Sequence, residues 1–450
     1  MDRRSVLAGT AAVAGASALA GAARAGAGGR AQPGGRLRIG MIGVGMRGRV
    51  LLRELVRRDD VEVVALCDIE QWTLDRALEQ FTEAGKPAPR LWTGSHEAWR
   101  DMLAAGGLDA VVIATPWEWH APMAIAAMEA GIAVGCEVVA GVTLEDHWEV
   151  LRTQVRTGAP YMLLENVCFR RDVMAITRMV REGVFGEMIH LEGGYQHDLR
   201  HVKFNAGVVG EAYGEGAEFG ERGWSEARWR TQHSVDRNGD LYPSHGIGPI
   251  AMWANINRGN RFTRLTSYAS KARGLHNHVV AVGGEDHPNA RVNFRLGDVV
   301  TTSIGCEDGT TVRLTHDTNL PRPYSLGFRV QGEKGLWMDL NRSIYVEGAS
   351  PEPHRWEEAQ AWLDRYDHPL WAEYAEQAEG AGHGGMDFFV IHLFIEALKA
   401  GQSMPIDIFD AVTWSAITPL SEASIAQNNA TLDFPDFTAG GWRTAGPWRV

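Results

Sequence analysis

The sequence predicts an α/β protein with two domains. The first is a doubly wound parallel sheet, and the second is an α+β domain with an open, mostly antiparallel sheet. Apolar strands alternate with amphipathic helices over residues 37–166, and a glycine-rich turn follows the first strand. From about residue 186, short alternating strands replace this pattern. The 450-residue length is enough for two cores.

A dinucleotide site is predicted where strand Leu37–Ile42 meets the turn Gly43-Val44-Gly45-Met46-Arg47-Gly48 and a helix over about residues 49–57. Gly43 permits the tight turn, Gly45 lets a pyrophosphate approach, and Gly48 lets the helix pack closely. The helix N-terminus offers free N–H groups to phosphates. Asp68, 20 residues after Gly48, can accept hydrogen bonds from the adenosine ribose and would repel a 2′-phosphate. The stretch therefore predicts a Rossmann domain that binds NAD rather than NADP.

Further strand–helix units complete the predicted parallel sheet. Helices are expected at about 72–84, 96–104, 121–130 and 144–156, and strands at 108–114, 131–137 and 160–165. Ligands bind at the carboxyl ends of such strands. The turns there should line one crevice, and they contain Trp117, Glu118, Trp119, His120, Glu137, Val138 and Asn166. A structural role as a helix cap is the alternative for His120.

The second half is expected to form the open sheet. Strands are predicted at 188–195, 262–269, 290–294, 299–306, 311–317, 325–331, 335–339 and 343–346. Residues 198–240 are rich in glycine and aromatic residues without a clear period, which favours a long active-site loop. Helices are predicted over 354–380, 386–399 and 408–427, before an irregular tail at 428–450. These patterns place an NAD-binding domain at 37–166 and a substrate domain at 167–427.

Residues 1–25 are interpreted as an export signal and residues 26–36 as a flexible linker. Arg3-Arg4 precedes a weakly apolar run rich in alanine and glycine, and Ala23-Arg24-Ala25 fits a cleavage site. Paired arginines in this position are typical of a twin-arginine signal. A periplasmic or secreted protein is therefore expected.

The composition argues against several kinds of partner. A formal net charge of −12 disfavours nucleic acid and anionic membranes, and no stretch after the signal is long and apolar enough to span a bilayer. Neither the four cysteines nor the histidines show metal-ligand spacing, so no metal site is predicted. The 16 tryptophans indicate sugar-stacking platforms or large core residues about equally.

The nucleotide domain, a turn centred on Glu137 and the open second sheet together resemble the Gfo/Idh/MocA oxidoreductase family. In that family a catalytic lysine follows the glutamate, and an aspartate stands four residues before a catalytic histidine. Here Val138 replaces the lysine and Leu241 replaces the aspartate, whereas His245 is present. The chain therefore lacks two of the three groups expected for simple alcohol oxidation.

These departures match one branch, because the sequence resembles glycoside hydrolase family 109, the NAD-dependent α-N-acetylgalactosaminidases. The resemblance implies hydrolysis of a small glycoside with no net redox change. Val139 and Phe169 depart from the residues usual in this branch. The runs that carry the resemblance are 45–48, 117–120, 164–168, 193–200, 229–230, 237–248, 316–317, 321–324 and 383–387.

The resemblance also implies a catalytic cycle. NAD takes a hydride from C3 of the sugar, the new ketone acidifies the C2 proton, a base removes that proton, and the aglycone leaves from C1. Water addition and re-reduction complete the cycle. His245 is implied to deprotonate or polarise O3. The implied sugar contacts are Tyr195, Arg230, Tyr242, Pro243, Ser244, His245 and Tyr324.

Tyr195 is the leading candidate for the C2 base or proton relay, with His197 as its partner. Residues i and i+2 of a strand face the same side, so both can point at one site. A tyrosine can act as a base if nearby positive charge lowers its pKa. An aromatic pair that packs the sheet is the alternative. Of the cofactor contacts, Glu137 is expected at the nicotinamide ribose.

Two other functions remain open from the sequence. One is net oxidation or reduction of a free sugar, against which Val138 and Leu241 argue. The other is a non-catalytic sugar-binding or NAD-sensing protein, against which Tyr195, His197 and His245 argue, because a binder needs no proton-transfer groups. An open sheet often buries its exposed face against another subunit, so a homo-oligomer is a further expectation.

Overall fold

The computed structural model describes residues 35–448. The predicted export signal, most of the predicted linker and the last two residues of the predicted tail lie outside this range. Within it the chain forms two halves, each built on one sheet. The second half packs against the carboxyl edge of the first sheet, and a cavity lies between them.

The first half is a parallel sheet covered by helices on both faces. Strands β1–β6 are Leu37–Ile42, Val61–Cys67, Arg90–Trp92, Ala110–Ile113, Ala133–Cys136 and Tyr161–Leu163, and helices α1–α5 are Met46–Val56, Gln71–Glu83, Ala98–Ala104, Trp117–Glu129 and Leu144–Thr157. The strand order is β3-β2-β1-β4-β5-β6, and all pairs are parallel. The order reverses between β1 and β4, which opens a crevice at the carboxyl edge. The predicted doubly wound sheet is confirmed.

The glycine turn joins β1 to α1 by close backbone contact. Gly43 has a φ of +85°, in the left-handed region that favours glycine, and its N–H donates to the carbonyl of Cys67 at 2.8 Å. A side chain at Gly48 would collide with the carbonyl oxygen of Gly43, whereas one at Gly45 would meet no atom within 4 Å. The first and third glycines therefore pack the turn, and the second leaves open space in front of α1.

The second half is organised around a nine-stranded sheet. Strands β7–β15 are Met188–Gln196, Phe262–Ala269, Val299–Cys306, Thr311–Asp317, Arg329–Gly332, Gly335–Met338, Ser343–Val346, Glu357–Glu358 and Leu432–Asp433. Their order is β14-β13-β12-β11-β7-β10-β9-β8-β15, and only the β7–β10 pair among these strands is parallel. The predicted open, mostly antiparallel sheet is confirmed.

Ten helices of the second half support this sheet and connect it to the first half. Helices α6–α15 are Arg171–Arg181, Arg200–Lys203, Arg230–Asp236, Ser244–Trp253, Gly274–Gly283, Gln360–Arg365, Pro369–Ala378, Met386–Ala400, Ile408–Ser415 and Ile417–Ala426. Helix α9 packs on β7, and α13 packs on α1. These two contacts bring a substrate-side helix and a C-terminal helix to the carboxyl edge of the parallel sheet.

Several predicted elements of the second half are wrong. No strand forms at 290–294, because Pro288 and a bond from Asn289 N–H to the His287 ring start a 3₁₀ turn there. The predicted loop 198–240 contains α7 and α8. The predicted helix 354–380 begins only at residue 360 and is divided before Pro369, and the helix 408–427 is divided at Ala416. Helices α6, α9 and α10 are absent from the sequence prediction.

No helix within residues 35–448 is both long and apolar enough to cross a bilayer. In the same range, no group of three or more His, Cys, Asp or Glu side chains could hold a metal ion. The four cysteines are buried free thiols, and burial raises the pKa of each, so their thiolate forms are disfavoured.

We expect Gly48→Ala to destabilise the protein by about 1–3 kcal/mol, because the added methyl group must push α1 away from the turn. Urea unfolding of the nucleotide-free protein measures the change in the free energy of unfolding. Gly45→Ala is the matched control, because its methyl group meets open space, and it should cost no more than about 1 kcal/mol, the loss expected for alanine at the N-cap of a helix. Equal stability of the two variants would contradict this account of the turn.

Candidate active site

A cavity of about 910 Å³ runs along the carboxyl edge of the parallel sheet, and the second half of the chain forms its opposite wall. Most of the residues proposed from the sequence line it. These are Gly43, Gly45, Met46, Arg47, Asp68, Trp117, Glu118, Trp119, Glu137, Val138, Asn166, Tyr195, His197, Arg230, Tyr242 and His245. The other five, which do not line it, are Gly48, His120, Pro243, Ser244 and Tyr324.

The end of the cavity beside the glycine turn fits the adenosine and pyrophosphate of NAD. Helix α1 begins there without a side-chain cap, so its first N–H groups can meet an anion. The open space in front of Gly45 is what a close pyrophosphate requires. Asp68 accepts bonds from Val44 N–H at 2.8 Å and Glu70 N–H at 2.9 Å, one on each oxygen. Each oxygen keeps a lone pair for a ribose hydroxyl, so the residues present fit NAD.

A buried ion-pair network lies beside the same turn. Arg47 donates to Glu137 Oε1 at 2.6 Å and to Asp387 Oδ1 at 2.8 Å. Asn166 also donates to Asp387 Oδ1 at 2.8 Å, and His383 Nδ1 lies 2.7 Å from Asp387 Oδ2. Burial opposes ionisation of Asp387, but the Arg47 charge and these bonds outweigh it and hold the pKa of this carboxyl well below its usual range. Glu137 and Asn166 thus enter the cavity in fixed orientations.

His120 lies behind the cavity wall. Its buried ring has Nδ1 2.6 Å from the carbonyl oxygen of Val139 and Nε2 2.8 Å from that of Thr115, and burial lowers its pKa. The ring therefore ties the loop after β4 to the loop after β5. The sequence predicts a cofactor contact for His120 or, as the alternative, a role as a helix cap. In the structure His120 does not line the cavity and has a structural role inside α4, and the cap position of that helix is occupied by Pro116.

Tyr195, near the end of β7, and His197, directly after this strand, lie at the other end of the cavity. Their i, i+2 spacing predicts that both side chains point to the same side, and they do. Tyr195 Oη lies 3.2 Å from His197 Nδ1. The Tyr195 ring centroid is 5.3 Å from that of His245 and 4.7 Å from that of Tyr242. Three groups able to transfer protons therefore lie side by side.

Burial dominates the electrostatics of this pair. Burial raises the pKa of the Tyr195 hydroxyl to about 12, and the Arg230 charge only partly offsets this. Burial and the same Arg230 charge lower the pKa of His197. At neutral pH the pair is a protonated phenol beside a neutral imidazole. The positive charge that could lower the tyrosine pKa is present in Arg230, but in the protein alone burial outweighs it.

His245 has a carboxylate partner that the sequence reasoning missed. Glu165 is fully buried just beyond β6, and its two oxygens lie 2.7 and 2.8 Å from His245 Nδ1. The same carboxylate accepts a bond from Val167 N–H at 3.0 Å, which fixes its position. His245 Nε2 is left as the nitrogen available to a substrate. The sequence signals for Glu165 are its place at the carboxyl end of the predicted strand 160–165 and in the family run 164–168, but neither indicates its pairing with His245.

Arg230 lies among aromatic rings at the same end. Its guanidinium pairs with Glu226, a cavity residue not proposed from the sequence, and lies 5.2 Å from the ring centroids of both Trp117 and Tyr242. Burial opposes the charge, but Glu226 outweighs it and raises the pKa of Arg230. The rings and the permanent cation together form a surface on which a sugar can stack and form hydrogen bonds.

The remaining proposed sugar contacts border the cavity without lining it. Ser244 is fully buried at the start of α9, directly after Pro243, so these two residues begin the helix that carries His245. Tyr324 is 48% exposed, and its ring centroid lies 5.0 Å from that of His197. The structure therefore places Pro243 and Ser244 behind the site and Tyr324 beside it.

Comparisons with known proteins match both halves of the chain. Residues 37–164 match a family model described as an oxidoreductase family with an NAD-binding Rossmann fold, and residues 169–444 match the glycosyl hydrolase 109 C-terminal domain. An NAD-binding oxidoreductase from Klebsiella pneumoniae has a TM-score of 0.65 at 16% identity, covering 89% of this chain and 99% of that chain. Levoglucosan dehydrogenase in complex with NADH has a TM-score of 0.62 at 17% identity, covering 89% and 100%. The fold, together with the NAD-binding domain over residues 37–164, defines an NAD-dependent enzyme of the Gfo/Idh/MocA type.

Two relatives narrow this class. A glycosyl hydrolase family 109 protein from Stenotrophomonas maltophilia (strain K279a) is 66% identical over 414 residues, 91% of each chain. An alpha-N-acetylgalactosaminidase from Tannerella forsythia is 52% identical over 409 residues, 90% of this chain and 87% of that one. The chain belongs to glycoside hydrolase family 109, and it is an NAD-dependent glycoside hydrolase.

We expect Glu165→Gln to lower kcat by about 10²- to 10⁴-fold, because a neutral amide cannot stabilise the imidazolium that His245 forms when it accepts a proton. Steady-state kinetics on an aryl glycoside measures the loss, and circular dichroism checks the fold.

Asp410→Asn is the matched control. Asp410 is equally buried and pairs with Arg258 at 2.7 Å, but it does not line the cavity. This variant should lose stability and keep its kcat. A similar fall in kcat for both variants would rule out a specific role for Glu165.

Proposed function

We propose that the enzyme hydrolyses α-N-acetylgalactosaminides through transient oxidation at C3 of the sugar. The observation that carries the proposal is that Tyr195, His197 and the Glu165–His245 pair line the same cavity as the NAD-binding turn or lie directly behind it. These groups are suited to proton transfer, whereas direct hydrolysis uses two carboxylates that flank the glycosidic bond. The identity of 52% to the alpha-N-acetylgalactosaminidase supports this substrate.

His245 is proposed to act at the O3 oxygen. NAD, when bound, supplies the acceptor and later the donor of the C3 hydride. As the C3–H bond breaks, His245 Nε2 takes the proton of the O3 hydroxyl, and Glu165 stabilises the resulting imidazolium. The proton returns to O3 when the ketone is reduced. The sugar therefore ends the cycle at its original oxidation level.

Tyr195 is proposed to remove the C2 proton that the C3 ketone has acidified. The phenol is protonated at neutral pH, so its proton must pass to His197 Nδ1, which lies 3.2 Å away and is neutral. The C2 electron pair forms a C1=C2 double bond and expels the aglycone, which takes up a proton as it leaves. Addition of water at C1 and of a proton at C2 completes a net hydrolysis.

Arg230 is proposed to orient the sugar. Its charge is held by Glu226 and by the aromatic rings around it, so the guanidinium can donate to the acetamido carbonyl or to ring hydroxyls without moving. A sugar fixed in this way presents C2 and C3 to groups that are themselves fixed, which is the condition for efficient proton transfer.

The proposal is tested with purified enzyme and p-nitrophenyl α-N-acetylgalactosaminide in deuterated water. We expect release of p-nitrophenol, deuterium at C2 of the product and no net NADH, because each hydride taken from C3 is returned. Tyr195→Phe should lose C2 exchange and phenol release together. Steady NADH accumulation with an unglycosylated sugar, and no phenol release across a glycoside panel, would instead establish net sugar oxidation.

We also propose that the enzyme is exported by the twin-arginine route. The support is the Arg3-Arg4 pair ahead of the weakly apolar run in residues 1–25, which lie outside the described residues. Replacement of both arginines by lysine should keep the protein in the cytoplasm, as measured by cell fractionation against a periplasmic marker. Unchanged export of the lysine variant would contradict the proposal.

A further inference from the structure

A histidine of the C-terminal half reaches the start of α1, and the proposed sugar chemistry does not use it. His383 lies in the turn between α12 and α13, within the run 383–387. Its side chain is 55% exposed, and it lines the cavity together with Gly45, Met46 and Arg47 of the glycine turn. The cofactor end of the cavity therefore includes a residue from outside the parallel sheet domain.

We propose that His383 binds the pyrophosphate of NAD and that Asp387 is the positioning residue that orients its ring. This inference rests on NAD as the cofactor and is independent of the sugar chemistry. It makes the cofactor site a joint product of both halves of the chain.

The imidazole ring of His383 lies beside the start of α1. His383 Nδ1 lies 2.7 Å from Asp387 Oδ2 and 3.3 Å from Arg47 Nη1. Arg47 is the second residue of α1, so the imidazole lies beside the helix start whose N–H groups have no side-chain cap. The open space in front of Gly45 lies at the same helix start. A pyrophosphate bound there would lie within reach of the imidazole.

The backbone around His383 is built to hold the ring in this place. His383 has φ 52° and ψ 44°, and Gly384 and Gly385 also have positive φ, at 68° and 96°. The left-handed region costs free energy in a residue with a β carbon, so the turn adopts it at His383 because the surroundings impose it. A side chain at Gly382 would collide with Asp387 and with Val50 of α1. The turn is therefore closely fitted between α1 and α13.

The charges around the ring explain why a cation is useful here. Arg47 is bound to both Glu137 and Asp387, so its charge is already balanced by carboxylates. Asp387 accepts from His383 Nδ1, which leaves Nε2 available to a ligand. When both ring nitrogens carry a proton, Nδ1–H donates to Asp387 and Nε2–H donates to a phosphate oxygen, a charge-assisted bond.

The test measures equilibrium binding of ADP, ADP-ribose and adenosine by calorimetry to nucleotide-free enzyme. His383→Asn is the main variant, because asparagine tolerates the left-handed backbone but is too short to reach the phosphate. We expect the Kd for ADP and for ADP-ribose to rise about tenfold, as for the loss of a hydrogen bond to a charged group, and the Kd for adenosine to stay unchanged.

His354→Asn is the matched control. His354 is also an exposed histidine with positive φ, at 62°, and it does not line the cavity. This variant should bind all three probes as the unmodified enzyme does. Unchanged binding of ADP by His383→Asn would overturn the proposal. A loss confined to ADP-ribose would indicate a ribose contact, and an equal loss of adenosine would indicate a misplaced turn; either result also overturns it.

Discussion

The relation between the two halves of this enzyme depends on the buried charge network around Asp387. Arg47 of the glycine turn bridges Glu137, at the edge of the parallel sheet, to Asp387 on α13. Loss of one member of such a buried pair leaves an uncompensated charge and costs about 3–5 kcal/mol. The network therefore resists any displacement of α13 from α1, and it fixes the shape of the cofactor end of the cavity before NAD binds.

A second hydrogen-bonded contact joins the halves at the substrate end, and it starts from Glu165, the residue before Asn166. Glu165 reaches His245 on α9, whereas Asn166 reaches Asp387 on α13. Two neighbouring residues just beyond β6 thus orient groups at the two ends of the cavity. The distance between the proton-transfer residues and the cofactor turn is consequently set by the sheet edge itself, and it does not depend on a flexible loop. The proposed reversible hydride transfer requires such a fixed distance.

The parallel half could be predicted well from the sequence because its signals are local. The glycine turn, the apolar strands and Asp68 each report on a few neighbouring residues. The second half is less predictable, because an alternating pattern of apolar residues does not require that the segment pairs with a neighbouring strand. Residues 290–294 alternate because Phe294 is buried in a small apolar cluster, yet no neighbouring strand pairs with this segment. Alternation shows which side chains are buried, whereas a strand also needs a partner backbone.

The candidate site shows the same limit in its chemistry. Tyr195 and His197 could be paired from the sequence because strand geometry relates residues two apart, but Glu165 and His245 are 80 positions apart. From the sequence, leucine at position 241 in place of an aspartate indicates that His245 lacks a carboxylate partner. In the structure His245 has one, because Glu165 at the end of another strand supplies it. Leu241 is instead buried against Trp117 in a small apolar cluster. Glu165 is the carboxylate that pairs with His245 in this enzyme, and Leu241 packs beneath the aromatic wall of the sugar site.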